Sequence, residues 1–204
     1  MTRIIQRALF ALFALLLLAA CERAPTLLKL GPHDVILAFG DSLTYGTGAA
    51  PSEAYPAQLV GLTQRAVVNA GVPGETTAEG LKRLPALLDE HQPRLVLLCL
   101  GGNDMLRRLP ASETENNLRL MLQTLRASGI QVVLIGVPEP KLFGGAPDFY
   151  AQLAEEFELP YDGDTLNTVL KDNALKSDPI HPNAAGYQTI ARQLADLLKE
   201  SGAL

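Results

Sequence analysis

Three side chains along the chain have the chemistry of an acyl-transfer centre: Ser42 in "LAFGDSLTYGTG", His181 and Asp178 in "SDPIHPNAAGY". A serine hydroxyl near its free pKa is a weak nucleophile and needs an adjacent base, most often histidine. The chain has three histidines. His91, in "EHQPRL", lies between a helical pattern and the start of a strand. His33 precedes the first strand. Both are expected at the end of the sheet away from Ser42. His181 sits in a loop stiffened by Pro179 and Pro182 and is free to approach Ser42. Asp178, three residues earlier, can accept the Nδ1 proton of His181 and leave Nε2 facing the hydroxyl. Taken alone, the D-x-x-H spacing equally suits a helix lead-in with Asn183 as N-cap.

An oxyanion would need donors. The N–H of Ser42, the N–H of Gly74 in "GVPGETT" and the side-chain amide of Asn103 in "GGND" are candidates. Gly74 also reads as a plain turn glycine and Asn103 as a capping amide. Ser42 is not in a G-x-S-x-G elbow, because Thr44 stands where the second glycine would be. A P-loop is excluded, because no lysine follows Gly46 or Gly48.

The elements that must position these residues are legible as apolar runs bounded by turn signals. "DVILAFG" (34–40), "AVVNAG" (66–71), "RLVLLCLGG" (94–102) and "QVVLIGVP" (131–138) are nearly continuous in apolar character, as strands buried on both faces of a parallel sheet are. Helical patterns cover 55–63, 76–91 and 112–128, the last with Ser112 and Glu115 as a capping box and Gly129 after its end. A long helix is predicted over 184–201, with Ile190, Leu194, Leu197 and Leu198 on its apolar face. The alternation of strand and helix predicts an α/β/α sandwich. "GDSLTYG", "NAGVPGETT", "LGGNDML" and "GVPEPKLFGG" all follow strands, so the chemically suggestive residues gather at the carboxyl edge of the sheet, where open α/β folds bind ligands. Cys99, inside "LVLLCLG", reads as a small core residue.

In this order and spacing, "FGDSLTYG", Gly74 in "NAGVPGETT", "GGND" and "DPIHPN" resemble the four blocks of the GDSL, or SGNH, hydrolase family, over about residues 35–200. "VVNAGVPGETT" and "LKRLPALLDEHQPRLVLLCLGGNDML" are similar to the subfamily of acyl-CoA thioesterase I, lysophospholipase L1 and arylesterase. The resemblance implies a flavodoxin-like three-layer sandwich with a parallel sheet of about five strands; four are evident as apolar runs, and "ELPYD" (158–162) is the candidate for the fifth. It implies Ser42 as nucleophile, His181 as base, Asp178 as its orienting acid, and Ser42, Gly74 and Asn103 as the oxyanion hole. No metal or cofactor is implied. The substrate loops would be "MLRRLP" and "EPKLFGGAP", with Met105, Leu106, Leu109, Leu142 and Phe143 favouring an acyl group. The leading expectation is a serine esterase acting on small-molecule or lipid acyl esters and thioesters. A carbohydrate O-deacetylase of the cell envelope would use the same residues with another pocket. A non-catalytic binding lipoprotein would not need the intact set.

The amino-terminal residues pose a separate question. Arg3 and Arg7 precede an apolar run from Ala8 to Ala20, the pattern of a secretory signal, and the run is shorter than the ~20 residues of a membrane-spanning helix. An uncleaved anchor is the alternative. "LAAC" (18–21) resembles a bacterial lipobox, which implies cleavage before Cys21, lipidation of its thiol and attachment to a membrane. Glu22, where an aspartate would signal inner-membrane retention, points to the outer membrane with the domain facing the periplasm. The organisation expected is a signal over 1–20, a tether over 21–32 and one hydrolase domain over 33–204. The net charge is −5 with no basic run, which argues against a nucleic-acid partner.

Overall fold

The computed structural model describes residues 25–140 and 144–204. Cys21, the signal and the lipobox, together with Leu142 and Phe143, lie outside the described residues. Five parallel strands form one sheet in the order β2-β1-β3-β4-β5. They are β1 (Val35–Gly40), β2 (Ala66–Gly71), β3 (Leu95–Cys99), β4 (Gln131–Ile135) and β5 (Tyr161–Asp162). The fifth strand is two residues long and pairs Leu134 with Tyr161 and Ile135 with Asp162. The inner strands β1, β3 and β4 are buried along nearly their whole length, as their unbroken Val, Ile and Leu content requires. The edge strand β2 is half-exposed.

Helices α2 (Tyr55–Thr63) and α8 (Ala184–Glu200) pack together on one side, and α3 (Thr77–His91) and α5 (Ala111–Ala127) on the other. Shorter helices are α1 (Ser42–Tyr45), α4 (Gly102–Leu106), α6 (Asp148–Phe157) and α7 (Thr165–Lys171). The buried face of α8 carries Ile190 and Leu194 as its period predicts, with Leu198 in the core and Leu197 only partly buried. Cys99 is buried, and its thiol is pushed well up by desolvation, as befits a packing residue.

Two local expectations need correction. Helix α5 starts at Ala111 behind Pro110, so Ser112 lies inside the helix and caps nothing. The reason is that the Pro110 carbonyl already accepts the Glu113 and Thr114 N–H groups. Glu115 instead pairs with Arg119 at 2.8 Å, and Arg119 reaches Glu156 on α6. The capping box is found at α3, where the Thr76 hydroxyl accepts from the Glu79 N–H and the Glu79 carboxylate accepts from the Thr76 N–H. Second, the packed domain begins before residue 33. Leu30 is in the core, and the N–H groups of Leu27 and Leu30 donate to the carbonyls of Ser201 and Ala203.

Candidate active site

The site forms where β1 and β3 end. A Cβ on Gly40 would sit 2.2 Å from the Thr44 hydroxyl and 2.4 Å from the Cys99 carbonyl, so only glycine lets β1 stop here and turn into α1. Ser42 is the first residue of α1, where its N–H has no acceptor within the helix. That helix is a single turn whose Leu43 N–H is taken by Asp41 at 3.0 Å. A helix dipole therefore adds little at Ser42, contrary to what a longer helix would supply.

The histidine arrives on the loop before α8. Lys176 and Pro182 form an antiparallel bridge that closes this loop, and the Asn183 side chain caps α8 through the Gly186 N–H at 3.0 Å. The same Asn183 ties the loop down by donating to the Ala174 carbonyl at 2.9 Å. Within the loop, Asp178 Oδ1 accepts the N–H groups of Ile180 and His181, both at 2.9 Å. Its Oδ2 lies 2.8 Å from His181 Nδ1, and His181 Nε2 lies 2.9 Å from Ser42 Oγ. Burial pushes the Asp178 carboxyl up, but the hydrogen bonds from the His181 ring and the two backbone N–H groups outweigh it, so its pKa lies below the ordinary carboxylate value. An ionised Asp178 is an acceptor only. It therefore draws the ring proton to Nδ1 and leaves Nε2 bare to accept the serine O–H. His91 pairs with Glu90 at 3.7 Å at the end of α3, and His33 is exposed, so both lie away from this cluster.

The third block enters through Gly101, whose φ of 122° suits glycine and whose absent Cβ leaves room for the Tyr150 hydroxyl. Asn103 follows on α4. Its Nδ2 donates to the Glu75 carbonyl at 3.0 Å and to Asp41 Oδ2 at 3.2 Å. Both amide hydrogens are thus engaged, and reaching a substrate oxygen means sharing or releasing one of them. The Gly74 N–H donates to no protein acceptor among the described residues.

Residues that sequence reasoning did not single out hold these donors in place. Buried Asp104 accepts from the Thr77 N–H at 2.9 Å and from the Thr77 hydroxyl at 2.5 Å, joining α4 to the start of α3. Buried Glu75 receives the Arg83 guanidinium in a two-point ion pair at 2.6 Å. Arg83 also donates to the Ala70 carbonyl and lies 4.4 Å over the Phe39 ring. The turn carrying Gly74 is thereby fastened at Glu75 from both sides, by Arg83 and by Asn103. Asp104 was open to suspicion from its place in "GGND", whereas the Glu75–Arg83 pair spans eight residues and has no motif.

Ser42, Asn103 and His181 line one cleft of about 520 Å³, within the range of small-molecule sites. Of the five expected pocket residues, Leu106 lines it. Met105 and Leu109 do not: Met105 leans on the core, and Leu109 is exposed beyond the end of α4. Helix α4 ends at Leu106 and Arg108 takes a left-handed φ of 56°, so Leu109 does not continue the helical face that carries Leu106. Val137, Pro138, Leu170 and Ile180 supply apolar wall in their place.

Residues 38–189 match the GDSL-like Lipase/Acylhydrolase family. The chain belongs to that family. Its GDSL relatives include the Thioesterase 1/protease 1/lysophospholipase L1 of Escherichia coli strain K12, 39% identical over 174 residues that cover 81% of this chain and 84% of the relative. The Arylesterase of Vibrio mimicus is 33% identical over 174 residues, covering 80% and 87%. Among solved structures, the psychrotrophic esterase EstA from Pseudoalteromonas sp. superposes with a TM-score of 0.74 at 26% identity, covering 82% of this chain and 97% of that one. The parallel five-stranded sandwich is the fold of these hydrolases, and this GDSL protein is a serine ester hydrolase.

Proposed function

We propose that the chain cleaves acyl esters and thioesters through an acyl-enzyme on Ser42. The observation that carries this reading is the unbroken contact from Asp178 through His181 to Ser42, at 2.8 and 2.9 Å, opening on a largely apolar cleft. Ser42 Oγ attacks the ester carbonyl while His181 Nε2 takes its proton. Asp178 holds the imidazole and stabilises the imidazolium. The oxyanion is met by the N–H groups of Ser42 and Gly74 and by the Asn103 amide. His181 then protonates the leaving alcohol or thiol. Water, deprotonated by His181, releases the acid and restores Ser42.

The apolar wall of Leu106, Val137 and Ile180 favours aryl esters, medium acyl chains and lysophospholipids over acetylated sugars. A panel of 4-nitrophenyl esters, an acyl thioester, a lysophospholipid and acetylated xylan tests this, with the first turnover followed by stopped flow. A burst of 4-nitrophenol matching the enzyme concentration is expected. Preference for acetylated xylan would replace this reading with the O-deacetylase, and no hydrolysis of any ester would overturn it.

The lipobox supports a second element of the proposal, a lipid anchor at Cys21 that holds the domain on the periplasmic side of a membrane. Leu27 and Leu30 dock on Ser201 and Ala203, and the backbone of Leu28 on the Gln131 side chain, at the strand ends opposite the cleft. Six residues reach at most ~20 Å, so an anchored domain would turn its cleft away from its own bilayer. Cys21→Ser should release the protein from the membrane fraction; a wild type already soluble would remove the anchor.

A further inference from the structure

One wall of the cleft carries charge that ester hydrolysis itself does not use. Helix α7 and the loop after it contribute Asn167, Lys171, Asn173 and Lys176 to the lining. The rest of the lining includes apolar Leu106, Val137 and Pro138, with the carboxylate of Glu139 beside them. Lys176 Nζ folds back on the Leu170 carbonyl at 3.3 Å, which sets it beside the last turn of α7, where Lys171 stands. No carboxylate among the described residues lies within ion-pair distance of either lysine. Among the described residues, the side chains of Asn167 and Asn173 have no hydrogen-bond partner. Two ammonium groups with no carboxylate partner among the described residues, and two open amides, thus share a cleft with the nucleophile, in a chain whose net charge is −5.

We infer that this wall is a subsite for an anionic group on the ester substrate, a phosphate or carboxylate held by Lys171 and Lys176 with Asn167 and Asn173 as added donors. The inference rests on the ester-hydrolase reading and adds to it the charge of the substrate. Attraction of cations to the carboxyl end of α7 accounts for a lysine near its last turn. It does not account for both lysines and both amides lining the cleft. An ammonium is a point-charge partner for phosphate or carboxylate, and a site that combines apolar lining with two lysines suits an amphiphile. The anion can belong to the acyl tail or to the leaving alcohol, and the two placements are separable.

The test compares kcat/KM for matched pairs in the wild type, Lys171→Met/Lys176→Met and Lys171→Arg/Lys176→Arg. The acyl arm pairs mono-4-nitrophenyl adipate with 4-nitrophenyl hexanoate. The alcohol arm pairs a lysophosphatidic acid with the monoacylglycerol of the same chain. The ratio of anionic to neutral substrate should fall about tenfold in the methionine variant in one arm, as expected for two partly exposed charge pairs. The arginine variant should keep that ratio, and about 0.5 M salt should erode it. A lysine pair that serves only α7 would lower the melting temperature and leave the ratio unchanged in both arms, which overturns the inference. If the wild type hydrolyses none of the four substrates, the hydrolase reading has failed as well, whereas neutral esters turned over with an unmoved ratio reject the subsite alone.

Discussion

Asp41 should give this protein a pH-dependent stability that a single substitution removes. The carboxyl is 2% exposed, one residue from Ser42. Desolvation raises its pKa from the ordinary 3.8 to about 7, against the pull of the Leu43 N–H and of a charged His181. In the unfolded chain the group ionises near its ordinary value. Between the two values the folded state holds more protons than the unfolded state, so stability falls as pH rises through this window and levels off above about 7. The gap corresponds to on the order of 4 kcal/mol. Asp41→Asn keeps an oxygen for the Leu43 N–H and cannot ionise. It also turns an amide toward Asn103, but that penalty is independent of pH. The difference in unfolding free energy between variant and wild type should therefore shift in the variant's favour by on the order of 4 kcal/mol between about pH 4 and about pH 8. Urea unfolding followed by far-ultraviolet circular dichroism at several pH values measures it. A difference that stays constant with pH would mean that Asp41 ionises in the fold as readily as in water, and the burial argument would fail.

Asn103→Ala should lower kcat by ~10²-fold or more with KM little changed, because the amide meets the oxygen best once it carries charge. Loss of affinity at unchanged kcat would place Asn103 in ground-state binding. Arg83→Met leaves the Glu75 carboxylate buried without its cation and should cost about 3–5 kcal/mol in urea unfolding. Adding Glu75→Gln should recover much of that, and a single-variant cost under about 1 kcal/mol would show that the pair does not fasten the turn.

The parts of this molecule that were legible in sequence are those fixed by local pattern. The strands 35–40, 95–99 and 131–135 are unbroken apolar runs because both faces are covered. Ser42, Asp178 and His181 could be picked out because only one histidine of three follows the right kind of loop. Strand β5 was faint because two residues make no period. Ser112 is not the cap because the cap is decided by which carbonyl accepts first, and that is Pro110. The Thr77–Asp104 and Glu75–Arg83 contacts depend on where two chain segments meet, which no spacing encodes. The same holds for the place of Lys171 and Lys176 on the cleft, which depends on how α7 packs.

The central claim is that Ser42 carries the acyl group. The protein treated with a fluorophosphonate and digested should show one modified peptide, containing Ser42, with the mass of the phosphonyl adduct. Labelling should be lost in Ser42→Ala and strongly slowed in His181→Ala, while the circular dichroism of both variants stays that of the wild type. A stoichiometric adduct on another residue, or full labelling of Ser42→Ala, would contradict the account.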